Sequence, residues 1–134
     1  MIYHTDSFGP DEDAILRALR HAMNLAVTRG NNEVLIKIPN ISNIDGAISN
    51  VLGDNLAKRL KKNRSVDIQG VQVFLESGRT KTQFSKGVIL AAYPSEKSLT
   101  GILSDYRGTD TVYIPWAEAE RASYLAANPT SSAV

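Results

Sequence analysis

Short apolar runs alternate with amphipathic segments along most of the chain, and this alternation restricts the fold more than any other sequence feature. Runs with strand character occupy residues 1–5, 34–38, 71–75, 88–92 and 111–114. Between most of these runs, apolar residues recur at three- and four-residue steps, which is typical of amphipathic helices. The order predicts an α/β fold. We expect a three-layer, Rossmann-like sandwich whose mostly parallel, five-stranded sheet carries helices on both faces.

The predicted helices begin and end at ordinary boundary signals. The first runs from about residue 10 to 30, between a proline-led acidic turn and a glycine. The second is expected from about residue 43 to 64, although two glycines inside it lower its helix propensity. The third begins at Ser95, a suitable N-cap residue, and the fourth covers about residues 115–128. Together the four segments account for most of the chain outside the strands.

The third and fourth strands have no helix between them. Residues 77–86 are polar and contain a glycine, which indicates a loop. If the runs at 71–75 and 88–92 pair directly, they form an antiparallel hairpin and the sheet is mixed. The alternative is a crossover between parallel strands, for which ten residues is short. The sequence therefore leaves open a hairpin between these two strands.

A chain of 134 residues matches one ordinary domain, and we expect that domain to cover residues 1–128. Residues 129–134 are small and polar, and we predict a flexible C-terminal tail. No cysteine is present, which excludes a disulfide framework and fits a reducing compartment. There is neither a secretory signal pattern nor a long apolar run. We therefore expect a cytoplasmic protein with no membrane association.

Polar residues follow each predicted strand, at the edge where open α/β sheets bind ligands. The candidate ligand-binding residues, in chain order, are Ser7, Asn40, Ser42, Ser77, Arg79, Ser95, Lys97 and Trp116. Of these, Arg79 and Lys97 would hold anionic oxygens. The simpler interpretation is that such residues belong to ordinary loops, that Ser42 and Ser95 cap helices, and that Trp116 closes one end of the core.

No set of residues identifies a reaction or a cofactor. His4, Asp6 and Ser7 are close in sequence, but side chains alternate along a strand, so they do not predict a catalytic triad. The common phosphate-loop and dinucleotide-binding glycine patterns are absent. Two separated histidines and no cysteine argue against a metal site, apart from one built of carboxylates. The sequence leaves open whether the protein is an enzyme, and its cofactors stay unknown.

A basic segment ends the second predicted helix. Its charged residues are Lys58, Arg59, Lys61, Lys62 and Arg64. They could contact the phosphates of a nucleic acid. The simpler interpretation, which we favour, is a solvated helix end, where cations offset the dipole and Leu60 continues the apolar stripe. A net charge of +1 argues against a general polyanion binder.

Three functional hypotheses follow. The first is a non-catalytic module that binds a protein partner or its own copy, because the chain lacks a recognisable catalytic set. The second is a small-ligand or nucleotide-binding domain that uses the carboxyl ends of the strands. The third is nucleic-acid binding through the basic segment, which the charge balance makes the weakest.

Overall fold

Seven strands form one sheet, and five α-helices pack against its two faces. A computed structural model describes all residues from Met1 to Val134. The strands are β1 (Ile2–His4), β2 (Glu33–Lys37), β3 (Ser65–Ile68), β4 (Val71–Glu76), β5 (Gly87–Ala92), β6 (Gly108–Ile114) and β7 (Ser132–Ala133). The helices are α1 (Glu12–Arg29), α2 (Ala47–Leu52), α3 (Asp54–Asn63), α4 (Glu96–Leu103) and α5 (Glu118–Ala127). The α/β class is confirmed.

The strand order is β3-β4-β2-β5-β6-β1-β7, and every neighbouring pair is parallel except β3 with β4. A mostly parallel sheet is therefore confirmed, but the predicted number of five strands is wrong because the sheet has seven. The first additional strand, β3, pairs with β4 through a turn at Gln69 and Gly70, whose φ angles of 53° and 87° suit a tight hairpin turn. Nothing in our prediction marked this segment as a strand.

The second additional strand, β7, lies in the segment that we expected to be a flexible tail. Ser132 and Ala133 pair with β1, and the Val134 N–H donates to the His4 carbonyl at 2.9 Å. The Ser131 hydroxyl also contacts the buried His4 ring at 2.8 Å. This part of the tail is therefore the edge of the sheet, while its flexibility stays a prediction.

The suggested hairpin between the runs at 71–75 and 88–92 is wrong. β4 and β5 are both parallel to β2, which lies between them, so the loop at residues 77–86 crosses over β2. A six-residue strand is about 20 Å long and the two strands are about 10 Å apart. Ten extended residues can span roughly 33 Å, so this connection needs no helix. Phe84 anchors the loop by packing against Phe74 with ring centroids 5.9 Å apart.

The second predicted helix is broken into three pieces. A 3₁₀ turn at Ile41–Ile44 is followed by α2 and α3, which meet at Gly53. Gly53 has φ 90° and ψ 152°, a conformation that is essentially restricted to glycine. The chain therefore changes direction at this residue instead of continuing as one helix.

The sheet has an apolar core on each face. Along β2, Val34 and Ile36 point to the face covered by α1, α2 and α3, while Leu35 points to the opposite face. That second face is covered by α4, α5 and the crossing loop, with Phe84, Leu99 and other buried side chains. All six residues of β5 are buried, as expected for a central parallel strand. No helix combines the length and apolar character needed to cross a membrane.

The centre of the sheet contains a topological switch point. From β2, the chain continues through α2 and α3 on the first face and reaches β4. From the neighbouring β5, it continues through α4 on the second face and reaches β6 on the other side. Because the two connections leave in opposite directions, a crevice forms at the carboxyl ends of β2 and β5.

Candidate ligand-binding site

A pocket of about 570 Å³ lies at this crevice. The backbone after β2 contributes Ile38 and Pro39, and the turn after β5 contributes Tyr93, Pro94 and Ser95. The crossing loop forms one wall and α4 forms the other. Its volume falls within the range of small-molecule sites in proteins.

A network of buried charges supports the pocket beside the crossing loop. The Glu76 side chain, at the end of β4, is fully buried and accepts two hydrogen bonds of 3.0 Å from the Arg107 guanidinium. It also accepts from the Lys37 ammonium at 3.2 Å. The backbone N–H and the hydroxyl of Thr82 donate to it at 2.9 and 2.7 Å. These contacts tie β2, β4, the crossing loop and the start of β6 together.

These hydrogen bonds keep Glu76 ionised. Burial alone would raise its pKa, but the donors on Arg107, Thr82 and Lys37 outweigh that effect and lower the pKa to about 2. The same contact with Glu76, followed by that with Asp105, raises the pKa of Arg107. The pair is therefore a fixed ion pair, and Arg107 also lies 5.2 Å from the centre of the Phe84 ring.

Three charged side chains line the pocket beside the buried Glu76–Arg107 pair. Asp105 lines it, and both of its carboxylate oxygens accept from Arg107, at 3.1 and 2.9 Å. Lys37 lines it with 13% of its side chain exposed, and burial lowers its pKa. Lys81 lines it from the crossing loop and forms no ion pair within the chain. The lining therefore carries two ammonium groups, Lys37 and Lys81, beside this network, and the carboxylates of Asp105 and Glu120 bring its formal charge to zero overall.

The opposite end of the pocket is aromatic. Trp116 is 51% exposed, and its ring meets the Tyr93 ring edge-on with centroids 5.1 Å apart. Tyr93 has a φ of 58°, which costs a bulky residue about 1–2 kcal/mol. Its hydroxyl donates to the Gly9 carbonyl at 3.3 Å, and the Gly9 N–H donates to the Trp116 carbonyl at 2.7 Å. Backbone strain in a bulky pocket residue is a feature that clusters at functional sites.

Polar groups at the starts of two helices complete the lining. The Ser95 hydroxyl caps α4 by accepting from the Ser98 N–H at 3.2 Å, and both residues line the pocket. Glu120 lines it from the first turn of α5, where one carboxylate oxygen accepts from the Ala117 N–H at 3.0 Å. The pocket therefore offers hydroxyl groups in its middle and a carboxylate beside Trp116.

Two of the predicted ligand-binding residues, Ser95 and Trp116, line this pocket. The others lie outside its lining, and they are Ser7, Asn40, Ser42, Ser77, Arg79 and Lys97. The buried Ser7 hydroxyl donates to Thr5 at 2.9 Å, and that of Ser77 contacts Thr80 at 3.2 Å. Their involvement in ligand binding stays a prediction, and Trp116 is too exposed to close the core.

Sequence reasoning missed most of the charged residues in the pocket. Lys37 carried a usable signal, because it is the only charged residue within the apolar run at 34–38. Asp105 and Arg107 follow α4 without a recognisable pattern, and Arg107 meets a carboxylate 31 positions earlier in the chain. Only the folded chain brings these groups together.

The basic segment lies on and just after α3, which packs on the face of the sheet opposite the Glu76 network. Leu60 is fully buried and Ala57 nearly so, so one stripe of the helix packs on the sheet. Lys61 pairs with Asp45 at 3.0 Å, and Arg64 terminates the helix in a left-handed conformation with φ 63°. Lys58, Arg59 and Lys62 are exposed, and nucleic-acid binding through this surface stays a prediction.

No group of three or more His, Asp or Glu side chains lies close enough to hold a metal ion. Comparison with known proteins adds no further assignment: no protein-family model, curated protein or solved structure matches this chain.

Proposed function

We propose that this chain is a Rossmann-like domain that binds a small anionic ligand in the pocket at the carboxyl ends of β2, β5 and β6. The supporting observation is the position of that pocket: it lies at the switch point between β2 and β5, where open α/β sheets commonly bind ligands. The likeness to Rossmann folds is one of architecture and supports the location of the site, whereas the ligand class follows from the lining residues.

The available charged donors at the crossing-loop end of the pocket favour an anion there. Glu76 and Asp105 are already in ion pairs at this end, and the other lining carboxylate, Glu120, follows β6 at the opposite end of the pocket. Lys81 has no partner within the chain, and the Lys37 ammonium retains donors beyond its one contact with Glu76. The Ser98 hydroxyl adds a neutral donor from α4. The proposal assigns binding and no reaction.

A thermal-shift screen tests the proposal with inorganic phosphate, phosphorylated sugars and nucleotides as probes. We expect at least one probe to raise the melting temperature. The K81Q variant should weaken its binding about tenfold, because a charge-assisted hydrogen bond is lost. Lys86 provides a matched control, since it is an exposed lysine of the same crossing loop that does not line the pocket, and K86Q should bind like the parent. Equal affinities for K81Q and the parent, or no response to any anion, would contradict the proposal.

Two hypotheses from the sequence stay predictions beside this one. Association with a protein partner or with a second copy would use exposed apolar side chains, which lie on separate elements: Met1, Phe8, Val27, Tyr106 and Trp116. A strictly monomeric protein in sedimentation analysis, with no co-purifying partner, would count against it. For nucleic-acid binding, reversing the charges of Lys61 and Lys62 should abolish retention of DNA and RNA. Location in the cytoplasm is likewise a prediction.

A further inference from the structure

We infer that the ligand is a nucleoside 5′-monophosphate, held with its phosphate near Lys37 and Lys81 and its base against Trp116. This inference rests on the proposed function and specifies the ligand class of the same pocket. It is carried by the separation of two different chemistries across the pocket, one cationic and one aromatic.

The order of the strands separates these two chemistries. Lys81 follows β4 and Lys37 ends β2, whereas Trp116 and Glu120 follow β6. β5 lies between β2 and β6, so the backbones at Lys37 and Trp116 are two strand spacings apart, about 10 Å. A ligand that fills the pocket must therefore present an anion at one end and a different group at the other.

The Trp116 end is built to receive a planar ring. Its indole is half exposed and borders the pocket, and the edge-on contact with Tyr93 supports it from one side. The left-handed backbone of Tyr93 holds that supporting ring in place. Nucleobases stack on aromatic side chains of this kind largely irrespective of sequence. An anion without a ring, such as phosphate alone, would leave this end of the pocket unused.

Glu120 adds a hydrogen-bond acceptor at the same end. One of its oxygens is occupied by the Ala117 N–H, and the second forms no hydrogen bond within the chain. A carboxylate can accept from the N–H groups of a base or from ribose hydroxyls. It would repel a second phosphate, so a monophosphate suits the pocket better than a ligand with phosphates at both ends.

Trp116 is the only tryptophan in the chain, so its fluorescence reports on this pocket alone. AMP, GMP, CMP and UMP are titrated in parallel with adenosine, ribose 5-phosphate and inorganic phosphate. We expect at least one monophosphate to quench the fluorescence and to bind at least about tenfold more tightly than each of the three fragments. The quench places the ring beside Trp116, which a thermal shift alone would not do.

Single substitutions test which end of the pocket binds the phosphate and which binds the base, with affinities measured by calorimetry. W116L should weaken monophosphate binding on the order of tenfold to a hundredfold while leaving ribose 5-phosphate unaffected. W116F retains an aromatic ring and should weaken monophosphate binding less than W116L does. K81Q should weaken the binding of the monophosphate and of ribose 5-phosphate alike without affecting adenosine, and K86Q should change none of these affinities. Circular dichroism confirms that each variant is folded.

The outcomes separate this inference from the proposed function. If ribose 5-phosphate or another anion without a base binds as tightly as every monophosphate, or if W116L binds the monophosphate like the parent, the inference is overturned and the anion pocket stands. If no anionic probe binds, both fail.

Discussion

Glu76 is the single residue on which the polar contacts around the pocket depend most. Its buried carboxylate accepts from Arg107, Lys37 and Thr82, which belong to three separate parts of the chain. Removing one partner of such a pair leaves an uncompensated buried charge, a more costly change than loss of an exposed ion pair. The residue therefore positions the pocket without lining it.

The low pKa of Glu76 predicts how stability depends on pH. The pKa is about 2 in the folded chain against an ordinary value of 4.5, so the unfolded chain takes up the proton first as the pH falls. The stabilisation, on the order of 3 kcal/mol, is complete above about pH 5 and is lost progressively towards pH 2. Urea unfolding at a series of pH values should show this fall in the free energy of unfolding between about pH 5 and pH 2, which we call the acid limb.

The E76Q variant tests the same contact at neutral pH. We expect it to lower the free energy of unfolding by roughly 3 kcal/mol and to flatten the acid limb. Some loss of stability at acid pH should remain in both proteins, because burial lowers the pKa of His4 and hydrogen bonds lower the pKa of Asp105 and, against the effect of burial, that of Asp110. E118Q is the matched control, because Glu118 is exposed and forms no ion pair. An unchanged acid limb in E76Q would show that Glu76 is not the group responsible.

Among the elements, the broken second helix and the crossing loop depart most from the predicted fold. The break at Gly53 separates α2 from α3, so that both can pack their apolar residues on the same face of the sheet. The crossing loop replaces a helix on the opposite face, and Phe84 fills the space that a helix would occupy. Because the loop carries Lys81, a connection without a helix also brings a cation to the pocket.

A pair of glycine variants tests the break in the helix. Gly53 has a φ of 90° and a ψ of 152°, so G53A should destabilise the fold by about 1–3 kcal/mol, although no atom would obstruct the new methyl group. Gly101 lies inside α4, where an added Cβ also meets nothing within 4 Å. G101A should therefore stabilise the protein by about 0.5–1 kcal/mol. Chemical denaturation distinguishes the two, and equal effects would contradict the role assigned to Gly53.

At the scale of the whole molecule, stability should be highest at the centre of the sheet. β2 and β5 are paired on both sides and covered on both faces, whereas β3 and β7 are edges. Interior strands generally open only with global unfolding, and edges open locally at a lower free energy. The pocket lies at the ends of these two enclosed strands, which gives it a rigid base.

Amide hydrogen exchange measured by mass spectrometry tests this distribution. We expect the slowest exchange in β2 and β5, faster exchange in β3, and the fastest in β7, which has only two residues. β4 serves as the internal comparison for β3, since it pairs with β3 but is enclosed by β2 on its other side. Protection of β7 equal to that of β5 would contradict both this ranking and the predicted flexibility of the C-terminal segment.

The sequence by itself determined the α/β class, the mostly parallel sheet and the position of the central strands. Those conclusions depend on local patterns, because a continuous apolar run and a three- to four-residue repeat each restrict one segment independently of the others. The cap at Ser95 and the helix end at Gly30 were equally local and were predicted correctly. The same reasoning identified the edge of the sheet that carries the pocket.

The tertiary structure alone decided the two edge strands, the crossing loop and the charged lining of the pocket. β7 is too short for any local pattern, and it is a strand only because β1 offers an unpaired edge. Glu76, Lys37 and Arg107 come from different segments, and each is an ordinary polar residue in its own sequence context. Their meeting depends on long-range strand order, which no property of a single segment encodes.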